Sequence, residues 1–189
     1  MNHLHYIVSI MTVLLLPPGT RVQGQSTASD PLKTSSSAGL TIGQSGDDPA
    51  IGIEVCSPSL FAESLRLRLQ MNRTWLEAYK ATRGHWAAYT TGWLGVVYTR
   101  RLLEQINGSC EAGAYQLFTN GKFSTRRAWP GYYAACGAEL HALDPRQQQA
   151  TFLFSVGYAY TRARADKLED EPACGRGAFF RLGLRYYFR

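Results

Sequence analysis

The chain has 189 residues, of which 18% are charged and 12% aromatic, with 18 glycines and a formal net charge of +6. So much aromatic side chain argues against disorder, and so much glycine argues against a long-helix protein. The mean hydropathy is -0.22 and the sequence has no run of apolar residues long enough for a spanning helix, but a spanning strand needs only about 9–11 residues of alternating polarity and is untouched by that test.

The first segment with a definite pattern is amino-terminal. Residues 7–16 are apolar except for Ser9 and Thr12, and are followed by Pro17, Pro18 and Gly19 and then by Val22-Gln23-Gly24. This layout predicts a secretory signal peptide over residues 1–24, cut between Gly24 and Gln25. The competing assignment, a buried helix of a cytosolic domain, lacks amphipathic surroundings. Residues 25–38, Ser/Thr-rich with Asp30, Pro31 and Lys33, read as a flexible leader, so the folded part is expected over 39–189.

From there the dominant period is two. Residues 40–44 and 50–55 are short strands, with Leu40 and Ile42, then Ile51, Ile53 and Val55, on the apolar face, and turn-forming residues between them. Residues 64–72 alternate cleanly: Leu65, Leu67, Leu69 and Met71 lie against Arg66, Arg68, Gln70 and Asn72. Residues 74–80 and 101–106 are expected as connections of a helical turn or two. Residues 86–98 form a strand whose two faces are almost equally apolar, which leaves its orientation open. In 111–120, Tyr115 and Leu117 are assigned to the apolar face and Gln116 to the polar one. Residues 132–141 set Tyr132, Ala134, Cys136, Ala138 and Leu140 against Tyr133, Gly137, Glu139 and His141. In 150–160, Phe152, Phe154, Val156, Tyr158 and Tyr160 oppose Thr151, Leu153, Ser155, Gly157 and Ala159. The last strand, 178–188, sets Phe180, Leu182, Leu184, Tyr186 and Phe188 against Arg181, Gly183 and Arg185.

Eight two-faced antiparallel strands close in one of two opposite senses. A soluble barrel binding an apolar small ligand would turn its apolar face inward, and a membrane barrel would turn it to lipid. The polar face holds Glu54, Arg66, Arg68, Gln116, Glu139, His141, Arg181 and Arg185 among small residues. An interior just wide enough for side chains suits such a polar network, and aromatic rings toward strand ends suit a membrane interface. The expected fold is therefore all-β: an eight-stranded antiparallel up-and-down transmembrane β-barrel.

On these features the sequence resembles the small outer-membrane β-barrels of Gram-negative bacteria, the OmpA/OmpX-type or porin-like barrel proteins. The resemblance implies a structural, adhesive or narrow-pore role in contact with outer-membrane lipid. It also implies that the barrel-assembly machinery reads the final strand through Phe180, Leu182, Leu184, Tyr186 and Phe188, here followed by Arg189. With both termini periplasmic, the turn at Gly46 and segments 73–85, 121–130 and 162–177 are external, and 57–63, 99–109 and 143–149 are periplasmic. Loop 121–130, with Lys122, Arg126, Arg127 and Trp129, and the highly charged loop 162–177 are where an external ligand or lipopolysaccharide is expected, against the plainer reading of solvated loops.

The basic balance does not point to nucleic acid, because the arginines alternate along strands and no nucleic-acid motif accompanies them. Cysteines at 56, 110, 136 and 174 lack zinc-site spacing. In the expected topology Cys136 faces lipid, Cys174 lies outside, and Cys56 to Cys110 is the conceivable bridge. No metal or cofactor signature is present, and Gly175-Arg176-Gly177 is too short for a nucleotide loop. Glu139, His141 and Ser155 suggest the Ser/His/acid arrangement of a lipid-modifying barrel enzyme. They point into the lumen, however, and no catalytic residue is expected.

Overall fold

The computed structural model describes residues 35–60, 64–80, 83–103, 105–141, 149–168 and 170–188. The predicted signal peptide lies outside the described residues, as does most of the predicted leader. Eight strands follow in order: β1 (Ser37–Ser45), β2 (Asp48–Cys56), β3 (Leu65–Lys80), β4 (Arg83–Leu103), β5 (Ile106–Phe118), β6 (Ala128–Leu140), β7 (Ala150–Thr161) and β8 (Gly177–Tyr187). Each pairs antiparallel with its neighbours in sequence, and β1 also pairs with β8, so the sheet closes on itself.

All eight predicted strands are present, with β1 starting at Ser37, inside the predicted leader. Two expected connections are strand instead. Residues Thr74 to Lys80 continue β3, and residues 101–103 continue β4. The alternation persists there, with Thr74 and Leu76 buried and Arg73 and Glu77 exposed. Cross-strand partners are also available from Thr74↔Tyr89 up to Lys80↔Arg83, which favours the ladder over an isolated helical turn. The external segment expected over 73–85 is accordingly a long hairpin. At the other end, β4 meets β5 through Leu103↔Ile106 after a register shift, so much of the expected periplasmic segment 99–109 is also strand.

Strands β1 and β2 have 9 residues each. At about 3.3 Å per residue and a tilt of about 40°, nine residues rise about 23 Å, close to the roughly 25 Å apolar band of an outer-membrane barrel. Their tight turn needs Gly46, whose φ is 63°.

The two barrel faces are sorted in the opposite sense to a soluble protein. Arg68 and Arg185 are 2% and 1% exposed, whereas Leu69 and Leu184 beside them are 61% and 49% exposed. No helix among the described residues is long and apolar enough to cross a membrane, a test that does not apply to strands. In β5 the faces are reversed from the sequence assignment. Glu111, Tyr115 and Leu117 are buried inside, and Gln116 stands on the outward parity with Ala112, Ala114 and Phe118. The rule that the more apolar face meets lipid fails here because half of this lumen is itself aromatic.

Candidate functional site

The lumen is filled in three tiers, beginning at the end of the barrel that carries the chain termini. There, four arginines meet three glutamates, all buried. Arg185 Nε donates to Glu54 Oε1 at 2.7 Å, and its Nη1 pairs with Glu139 Oε1. Arg68 Nε lies 3.3 Å from Glu54 Oε2, and Arg68 Nη1 is 2.9 Å from Glu111 Oε2. That oxygen also receives Arg181 Nη2 at 3.0 Å. Arg66 Nη1 donates to Tyr187 Oη at 3.0 Å, and Tyr187 Oη donates to Glu139 Oε2 at 3.2 Å. Neutral groups complete the tier: Arg68 and Arg181 both donate to Gln70 Oε1, and Arg181 Nε donates to Ser155 Oγ at 3.1 Å. A charge removed from water survives only when paired and hydrogen-bonded, and six strands contribute the groups that meet this condition.

The second tier is aromatic. Trp93 stacks on Tyr115 with centroids 4.8 Å apart, and Tyr133 and Phe179 approach it edge-on at 4.4 and 5.3 Å. Two side chains join the tiers. The Arg181 guanidinium lies 5.5 Å from the Trp93 centroid and 4.8 Å from that of Phe179, and Tyr133 Oη donates to Glu111 Oε1. Gly95 makes this junction possible. A Cβ there would lie 2.2 Å from Tyr133 Oη and 2.8 Å from Glu111 Oε1.

The third tier is a cap. The connection from β7 to β8 folds back over the mouth, burying Ala163, Ala165, Leu168 and Cys174, while the β5–β6 connection buries Phe123 and Ser124 beside it. The two connections are tied by Thr125 N to Asp166 Oδ1 at 2.7 Å, Lys167 N to Phe123 O at 3.1 Å and Lys167 Nζ to Gly121 O at 2.8 Å. Hydrogen bonds from Thr125 hold the Asp166 carboxyl below its ordinary range. The cap is latched to the barrel wall at Gly175. Tyr115 Oη donates to Gly175 O at 2.6 Å, Gly175 N donates to Tyr89 Oη at 3.1 Å, and Tyr89 Oη donates to Asp48 Oδ2 at 2.9 Å. Burial pushes the Cys174 thiol up to about 12. A cavity of about 20 Å³ bordered by Thr41, Asn72, Tyr89 and Trp93 has room for about one water.

No protein-family model and no curated protein matches the chain. Solved structures do. The N-terminal β-barrel domain of Pseudomonas aeruginosa OprF is similar at 12% identity and a TM-score of 0.57, over 82% of this chain and 98% of that one. Neisserial surface protein A (NspA) is similar at 13% identity and a TM-score of 0.52, over 82% and 95%. A de novo designed transmembrane β-barrel is similar at 10% identity and a TM-score of 0.50, over 82% and 96%. The fold is that of the small outer-membrane barrels. At such low identities the likeness carries architecture alone.

The outer surface has the belt that an outer-membrane-type barrel presents to lipid. Leu40, Ile42, Ile53, Leu67, Leu94, Phe154 and Val156 are all exposed on it. Aromatics border both rims. At the capped end Tyr132 and Tyr160 stack at 5.1 Å with Arg176 5.0 Å from the Tyr160 ring centroid, and at the other end Tyr186 meets Phe188 at 5.7 Å.

Of the residues expected in the lumen network, Glu54, Arg66, Arg68, Glu139, Arg181 and Arg185 lie together in the charged tier. His141 is also buried, with its Nε2 2.9 Å from Asn107 Nδ2. Gln116 is a correction, since it stands on the outer face. Glu111 is the charged member that the sequence reading missed. Its signal was present, two and three alternations from Tyr115 and Leu117 on one parity, but aromatic neighbours disguised that parity as lipid-facing. The suggested Ser/His/acid arrangement is not assembled: Ser155 is held by Arg181, and Glu139 by Arg185 and Tyr187. Phe180, Leu182, Leu184, Tyr186 and Phe188 of the final strand are all exposed outward. Among the described residues no group of three or more metal-ligating side chains forms. The conceivable Cys56 to Cys110 bridge is not available in this barrel. Cys56 is buried with the inward parity of β2, whereas Cys110 stands on the outer parity of β5, whose neighbours are β4 and β6.

Proposed function

We propose that the chain is exported, loses residues 1–24, and resides in the bacterial outer membrane as a closed, non-conducting barrel with a structural or adhesive role. The observation that carries this reading is the inverted sorting of the wall: leucine, isoleucine and phenylalanine outside, paired arginine and glutamate inside. A soluble barrel with an apolar ligand would need the opposite arrangement. The three lumen tiers favour closure over a narrow pore, because ionic, aromatic and loop groups occupy the axis one above another. The capped end faces outward in this reading, with the termini in the periplasm and Phe180 to Phe188 offered to the assembly machinery. Fractionation of cells and an unboiled detergent gel test it. The chain is expected in the outer-membrane fraction with a heat-dependent change in mobility, and a soluble chain with unchanged mobility defeats the reading.

The external surface supports an anionic partner such as lipopolysaccharide phosphate. Arg126 lies 4.6 Å from the Trp129 ring centroid and is exposed, as are Lys122 and Arg127. Such cations beside interfacial aromatics match the level of lipid headgroups. The R126A/R127A variant is expected to weaken retention of the detergent-extracted barrel on immobilised lipopolysaccharide; unchanged retention removes this partner.

A further inference from the structure

Two of the four cysteines face one another across a strand pair. Cys110 of β5 and Cys136 of β6 are register partners, and their sulfurs are 3.1 Å apart. Register partners in antiparallel strands have Cα atoms about 4.5–5.5 Å apart, inside the range of about 4.4–6.8 Å that a disulfide spans. Both stand on the outer face, each half-buried. Tyr98 of β4 is the register partner of Cys110 on its far side, and Val156 of β7 that of Cys136. The other two thiols are elsewhere: Cys56 lies within the lumen and Cys174 beneath the cap.

We propose that Cys110 and Cys136 close to a cross-strand disulfide when the chain meets a protein disulfide oxidant of the exported compartment. Each thiol gives up its proton, one S–S bond forms between the two sulfurs, and two electrons reduce the disulfide of the oxidant to a dithiol. The residues are 26 apart in sequence and belong to one hairpin, so closure requires no other strand. Its place on the outer wall sets the order of events. Once the wall is against lipid a soluble oxidant has no approach, so the bond forms on the free β5–β6 hairpin and fixes its register before the barrel closes. A one-residue slip would bring Cys110 opposite a residue of the wrong face. The oxidant alone rests on the export reading; the pairing rests on the register.

The test is alkylation of the full-length protein, unfolded in urea without reductant, with iodoacetamide, followed by trypsin. Residues 102–122, carrying Cys110, and 128–146, carrying Cys136, are expected as one linked, unalkylated species, with Cys56 and Cys174 alkylated. Protein from the outer-membrane fraction with both peptides fully alkylated overturns the proposal. If the chain is instead found in the cytosol with four free thiols, incubation of the folded protein with oxidised glutathione separates the two ideas. Linkage of the same two peptides then supports the pairing while export fails, and absence of linkage overturns the pairing as well.

Discussion

The two halves of the lumen solve the same filling problem with opposite chemistry. Toward the termini, Glu54, Glu111 and Glu139 hold Arg68, Arg181 and Arg185 through short, directed contacts and Arg66 through Tyr187. Toward the cap, Trp93, Tyr115, Tyr133 and Phe179 fill the same cross-section by ring packing. The difference lies in what each half tolerates. Ring packing loses contact area gradually when a side chain is trimmed, whereas a charge network that loses one member leaves buried opposite charges unpaired. The ionic half is thus the more brittle, although its net worth against an apolar filling is small.

The sharpest way to break that contrast is Arg185→Met. It leaves the carboxylates of Glu54 and Glu139 without their shared guanidinium, both almost fully buried. The expected loss is about 3–5 kcal/mol, read as a lowered urea midpoint of the unboiled, folded gel band. The E139Q/R185M variant, which removes one carboxylate with one guanidinium and leaves Glu54 its contact with Arg68, is expected to regain part of that stability. Equal losses in the single and double variants would show that the tier acts by shape and not by charge.

The same contrast explains which parts of the molecule were legible in its sequence. Strands β3, β7 and β8 were readable to the face because arginine, serine and threonine on one parity oppose leucine and phenylalanine on the other. In β4 and β5 the inner parity carries Tyr89, Trp93 and Val97, then Tyr115 and Leu117, so the two faces look alike or reversed, and Glu111 was lost with them. Polarity marks the inside only where the filling is polar. The extensions beyond 72 and 98 were missed for another reason: the long β3–β4 ladder draws its stability from cross-strand partners distant in sequence. The cap was illegible altogether, since nothing in a loop of mixed charges announces that Ala163, Ala165 and Cys174 turn inward.

Tyr133 lies on the border between the halves, and Tyr133→Phe keeps the ring while removing the bond to Glu111 Oε1. Glu111 retains Arg68 and Arg181, so the network stays paired. The expected cost is about 1.5–3 kcal/mol, as for a hydrogen bond to a charged group, in the same urea assay. A change within error would mean that Arg181, against Trp93 and Phe179, couples the tiers without Tyr133.

The smallest expected effect concerns the cap, and it is read by reactivity instead of stability. Cys174 is fully buried although its loop lies on the surface, and burial raises its thiol to about 12 from an ordinary 9.0. At pH 8 the closed cap therefore holds the thiol far poorer in thiolate than an open loop would, and labelling proceeds through transient opening. Tyr89→Phe removes the hydroxyl that bridges Gly175 N and Asp48 Oδ2. A loss of about 1–2 kcal/mol confined to the latch makes opening about 5–30-fold more frequent and accelerates iodoacetamide labelling of the tryptic peptide 168–176 by that factor. The urea midpoint should move little, because both lumen tiers below the latch are intact. Acceleration together with a large fall in midpoint would mean that the cap and the aromatic tier unfold as one unit. Unchanged labelling would mean that Tyr115, bonded to Gly175 O from the other side, holds the cap without Tyr89.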